Sequence, residues 1–142
     1  MTMRQKLLFV VAVFVLAAVG WLRSRPHPLP AAFAAKVTLE AALGAQSADQ
    51  KPVIAFYTAD WCGPCGALKR NALADPRVEE LLKQTHAAFV DCTNGHPADD
   101  AFGVDGYPTL VEIRGGQEVS RVVGAVPTDE LIDWLQTAIN RR

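Results

Sequence analysis

Two cysteines with two residues between them, Cys62 and Cys65 in the string Trp61-Cys62-Gly63-Pro64-Cys65, have the types and spacing for sulfur chemistry. The string follows Val53-Ile54-Ala55-Phe56-Tyr57-Thr58, a continuous β-prone run of the kind buried on both faces, and Pro64 suits the first turn of a helix. A thiol at such a strand-to-helix junction lies beside unpaired backbone N–H groups and the positive end of the helix dipole, both of which favour thiolate. Its pKa is expected to fall from ~8.5 into the range ~3.5 to ~7.5 found in motifs of this kind. Cys62 stands at the mouth and is assigned as the nucleophile. Cys65, one turn on and on the same face, is assigned as the thiol that resolves a mixed disulfide from within. Gly63 and Pro64 keep the turn tight and add no side chain that blocks a partner. The chemistry expected is dithiol-disulfide exchange with protein thiols or disulfides, recharged by a redox partner and needing no prosthetic cofactor.

A metal centre is the competing reading. Cys92-Thr93-Asn94-Gly95-His96 supplies a third cysteine and a histidine, so Cys62, Cys65, Cys92 and His96 form a candidate Cys3His zinc set, and soft thiolates at the pair would also suit copper delivery. The two halves lie farther apart than in zinc ribbons, and a zinc knuckle needs no buried strand before its first pair. Three cysteines are too few for a stapled framework, and Cys92 reads as a small buried hydrophobe.

The elements that must hold the pair follow from periodicity. Thr38 can cap a helix through about Ala48, with Leu39, Ala42 and Leu43 on one face. A helix begins at Pro64, another follows Asp75-Pro76, and Ala87 to Cys92 is a second strand reached by a crossover long enough for parallel pairing. Thr109 to Arg114 and Gln117 to Val123 flank Gly115-Gly116, a two-residue hairpin signal. Pro127-Thr128 opens a last helix whose Leu131, Leu135, Ala138 and Ile139 form one stripe. The class expected is α/β, a mixed sheet with helices on both faces.

At the N-terminus, sixteen uncharged residues, Leu7 to Leu22, lie between Arg4 and Lys6 on one side and Arg23 and Arg25 on the other. At ~1.5 Å per residue they reach ~24 Å, just short of a ~30 Å hydrocarbon core. An uncleaved single-pass anchor is favoured over a cleaved signal peptide and over a soluble core helix. The flanking charge tilts toward a cytoplasmic N-terminus, which places the domain on the periplasmic or extracytoplasmic side. The division expected is residues 1–23 as anchor or signal, 24–36 as a stiff proline-rich spacer outside the core, and 37–142 as the domain. After Val37 stand nine cationic and fifteen acidic residues, an acidic body without the basic face that nucleic acid requires.

Val53 through Cys65, with Gly106-Tyr107-Pro108-Thr109 and the terminal helix, resembles the thioredoxin superfamily across roughly residues 37 to 142. Ala59-Asp60-Trp61-Cys62 and Leu73-Ala74-Asp75-Pro76-Arg77-Val78 are similar to the C-terminal domain of transmembrane thiol:disulfide interchange proteins. The resemblance implies a thioredoxin-like fold and a cis Tyr107-Pro108 bond facing the cysteines. It also implies a substrate surface formed by Trp61, Gly63, Pro64, Tyr107 and Pro108. Two positions depart from the family pattern. Phe56 stands where a buried Asp is usual, and Ala87-Ala88-Phe89 lacks the family's lysine. Lys69 reads as a solvated helix-face residue, Asp60 as loop solvation, and Trp134 as core or half-exposed helix surface; His27 and His86 have no evident partner.

Overall fold

The computed structural model describes residues 2–23, 29–97 and 100–141. Its central strand is β1 (Val53–Thr58), with every residue buried, as a run of apolar and β-branched side chains requires when both sheet faces are covered. β2 (His86–Asp91) pairs with it in parallel, β3 (Thr109–Arg114) pairs antiparallel on its other edge, and β4 (Gln117–Val123) pairs antiparallel with β3. The order is β2-β1-β3-β4. The β3–β4 turn is made by Gly115 and Gly116, both at positive φ (56° and 75°), the backbone that matches a hairpin's twist.

Among the described residues there are six α-helices: α1 (Met3–Arg23), α2 (Ala31–Ala34), α3 (Leu39–Asp49), α4 (Gly63–Arg70), α5 (Pro76–Leu82) and α6 (Thr128–Asn140). The sheet's two faces are covered separately. Ile54, Phe56, Leu110 and Val122 pack with Leu68 of α4, Val78 and Leu82 of α5, and Leu131, Leu135 and Ala138 of α6. Val53, Ala55, Tyr57, Val111 and Ile113 pack with Ala42 of α3 and with Val104. Thr38 caps α3 by accepting from the Ala41 N–H at 3.3 Å, and Asp75 caps α5 by accepting from the Arg77 N–H at 2.8 Å. Buried Gln46 joins α3 to the hairpin, donating to the Ile113 carbonyl at 2.8 Å and accepting from the Gly115 N–H at 2.9 Å. β2 lies one residue earlier than the pattern suggested: its ladder to β1 opens with the His86 N–H on the Pro52 carbonyl and closes with the Cys92 N–H on the Thr58 carbonyl.

Two features differ from the sequence expectation. The spacer was expected to stay outside the core, yet Phe33 of α2 is 1% exposed and its ring lies 5.2 Å from that of Phe56. The apolar ring at position 56 needs a cover, and Phe33 supplies it, so the packed unit begins before residue 37. The prolines at 26 and 28, like His27, fall outside the described residues. Lys69 was expected in solvent but is 9% exposed, its stem over the sheet and its Nζ 5.9 Å from the Phe56 ring centre. Among the described residues α1 is the one helix long and apolar enough to cross a membrane, and no residue in that span is buried.

Candidate functional site

β1 delivers the chain to the site. After Thr58 the backbone turns, with the Cys62 N–H donating to the Ala59 carbonyl at 3.2 Å, and Cys62 becomes the N-cap of α4. Its Sγ accepts from the Cys65 backbone N–H at 3.2 Å, the contact that a helix's first turn offers to a thiolate. Cys62 and Cys65 are disulfide-bonded, with Cα atoms 5.3 Å apart. Cys62 keeps 8% exposure and Cys65 none, so the outer sulfur is the one placed first on the chain. A Cβ at Gly63 would meet nothing within 4 Å, which leaves the approach to the pair open.

Two aromatic residues flank the sulfurs. Trp61 is 66% exposed, donates from Nε1 to the Thr93 carbonyl at 3.0 Å, and stands edge-on to Tyr107 at 6.1 Å. Tyr107 packs against Ala59, Cys62 and Cys65, and the Tyr107-Pro108 bond is cis, as the resemblance implied. Trp61, Gly63, Pro64, Tyr107 and Pro108 thus come together around the pair. Trp134 lies away from them, half-buried, donating to Ser120 Oγ at 2.9 Å.

Behind Tyr107 is a polar network. Its hydroxyl lies 2.9 Å from His96 Nδ1, His96 Nε2 lies 2.9 Å from Asp100 Oδ2, and the Tyr57 hydroxyl donates to the other Asp100 oxygen. Cys92 Sγ is 3.9 Å from His96 Nδ1 and is buried, and that burial pushes its thiol pKa up. Burial likewise raises the Tyr107 hydroxyl, to about 12, with the Cys92 contact adding to it. Sequence reasoning missed this network; the i, i+4 spacing of His96 and Asp100 was its one legible trace. Thr93, which also accepts the Asp60 N–H on its Oγ1 at 3.1 Å, carried no signal at all.

Under α4 the surroundings of Cys65 are apolar. Phe56 is enclosed between Phe33 and Phe89, and no carboxylate occupies its place. Lys69 sits over it with its pKa lowered by burial, an effect that Asp60 and Asp91 oppose. Thr58 Oγ1 is buried with no hydrogen-bond partner among the described residues. His86, which had no evident partner in the sequence, lies with Nε2 2.8 Å from Asp49 Oδ1, far from the cysteines. The four-residue metal set is not assembled: Cys62 and Cys65 bond each other, and no three His, Cys, Asp or Glu groups among the described residues converge as ligands. A cavity of about 720 Å³ lined by Gln46, Lys51, Arg114 and Arg141 lies at the opposite end of β1 and includes none of the site residues.

Comparison with known proteins agrees with the geometry. The family model described as Thioredoxin matches residues 34–137. The chain is 43% identical over 82 residues to mitochondrial thioredoxin-2 of Schizosaccharomyces pombe, covering 56% of each. It is 32% identical over 111 residues to thiol:disulfide interchange protein DsbD 1 of Pseudomonas aeruginosa, covering 73% of this chain and 19% of that one. The chain therefore spans about half the length of the first relative and a fifth of the second. Among solved structures, the reduced C-terminal domain of Neisseria meningitidis DsbD superposes with a TM-score of 0.61 at 27% identity, covering 70% of this chain and 93% of that domain. The chain belongs to the thioredoxin family, and its disulfide-bonded Cys62–Cys65 pair stands at the start of α4.

Proposed function

We propose that this chain exchanges its Cys62–Cys65 dithiol with disulfides of exported proteins, from the extracytoplasmic face of a membrane in which α1 is anchored. The observation that carries the reading is the asymmetry of the pair, Cys62 keeping 8% exposure as the N-cap of α4 and Cys65 wholly enclosed one turn inside it. In the reducing direction the Cys62 thiolate attacks a substrate disulfide, and one substrate sulfur leaves as thiolate and takes a proton from water. Cys65 gives up its proton and attacks Cys62 Sγ, the mixed disulfide breaks, and the second substrate sulfur leaves. Two electrons pass to the substrate, and a dithiol donor restores the pair; the opposite direction runs the same bonds backward. Trp61, Gly63, Pro64, Tyr107 and Pro108 form the surface on which the partner polypeptide docks. The apolar α1 between basic flanks, together with the likeness to DsbD 1, supports the anchored placement.

Replacing the resolving sulfur tests the chemistry. Cys65→Ser is expected to accumulate partners disulfide-linked to Cys62, and adduct mapping that finds none on Cys62 rejects the assignment. Carbonate extraction tests the placement separately: retention in the membrane pellet is expected, and full-length chain in the soluble fraction rejects it.

A further inference from the structure

The loop that follows β2 holds both aromatic walls of the site. Thr93 accepts from the Trp61 indole and from the Asp60 N–H, while three residues on His96 faces the Tyr107 hydroxyl. The two walls meet edge to edge beside Cys62. Neither of them reaches for the other with a polar group, so what fixes each one is the loop.

The Asp100 carboxylate fixes one proton of the ring. Burial works to raise the Asp100 pKa, but hydrogen bonds from Tyr57 and His96 outweigh it and hold the carboxyl below its ordinary range. An ionised carboxylate only accepts, so His96 donates from Nε2–H, and in the neutral imidazole Nδ1 carries the lone pair. Tyr107 then donates its hydroxyl proton to Nδ1. The imidazole also lies nearly parallel to both rings, 6.0 Å and 15° from Tyr57 and 6.2 Å and 22° from Tyr107. With both nitrogens engaged and both tyrosine rings close to parallel with it, His96 is a fixed strut between the core tyrosine and the site tyrosine.

We infer that His96 is a positioning residue: it holds Tyr107 in place against Trp61 and thereby sets the affinity of the cysteine site for its polypeptide partner, without taking part in the sulfur exchange. This rests on the reading of Trp61 and Tyr107 as the docking surface. Without the strut, Tyr107 must be ordered by the incoming chain, and that ordering weakens binding. The sulfur steps, which run between Cys62, Cys65 and the substrate, are untouched.

The test uses the full chain in detergent micelles, with insulin as the disulfide substrate and dithiothreitol as the donor. His96→Ala is expected to raise KM about 5-fold, near what one hydrogen bond contributes, with kcat kept within about 2-fold. Tyr107→Phe, which removes only the hydroxyl, should raise KM equally, and the double variant should add nothing further. His96→Gln should restore KM, since its amide accepts from Tyr107 and donates to Asp100. An unchanged KM in either single variant, additive effects in the double variant, or a loss confined to kcat overturns the inference while leaving the oxidoreductase reading intact. Wild-type chain that leaves insulin unreduced overturns that reading, and the inference with it.

Discussion

Phe56 and Lys69 exchange the roles that position and polarity suggest, an aromatic ring where a charge is usual and a charge where solvent was expected. With Phe33 and Phe89 packed on either side, Phe56 has no room for an acid and no partner for one. Phe56→Asp is expected to destabilise the reduced protein by about 2 to 5 kcal/mol, the sum of a lost core ring and a buried carboxyl, read from denaturant melts. The missing carboxylate also removes the nearest acceptor for the Cys65 proton, so resolution by the wild type should be slow around neutral pH. Lys69 has the opposite liability. Its folded pKa lies below the ordinary 10.5, so the unfolded chain binds more protons between the two values and stability rises with pH through that window. Lys69→Met should therefore stabilise the disulfide-bonded protein at neutral pH, and the gain should shrink as the pH approaches 10.5. Melts showing the same gain at alkaline pH would mean that the ammonium is not the source of it.

At the scale of elements, the sequence was most legible where local rules and packing agree. β1, β3 and β4 have the bounds that their apolar runs and the Gly115-Gly116 turn dictate, α3 begins at its expected cap Thr38, and α5 begins at the Asp75-Pro76 pair. Gly116 has open space where a Cβ would stand, but its φ is 75°, so Gly116→Ala should cost about 1 kcal/mol from backbone strain alone, seen as a lowered Tm. Legibility failed where a residue acts through a distant partner. Phe33, a lone aromatic among prolines, has no period from which its burial could be read. The cysteine pair was legible because its two members are neighbours on one helix. His96 was not, since its tie to Tyr107 joins two loops, and the sequence offered it only as a metal ligand.

For the molecule as a whole, the packed unit includes part of what looked like a tether. Phe33→Ala in the full chain should destabilise the domain by about 3 to 5 kcal/mol, the cost of deleting a buried ring that does not refill. A change of a few tenths instead would show that Phe33 merely rests on the surface. Net charge separates the two halves, with a basic, apolar N-terminal segment preceding an acidic body, and that arrangement suits a chain anchored at one end and exposed to water at the other.

The burial of Cys92 makes the number of reactive sulfurs a report on the fold. Reduced native protein should present one thiol, Cys62, to a bulky alkylating reagent, since Cys65 has no exposure and Cys92 is enclosed beneath His96 and Tyr107. Denatured protein should present three. Counting adducts by mass thus measures the unfolded fraction in the same sample that reports the redox state, and it also explains why an odd cysteine need not scramble the pair. A sulfur that solvent and partners cannot reach forms no competing disulfide while the domain stays folded.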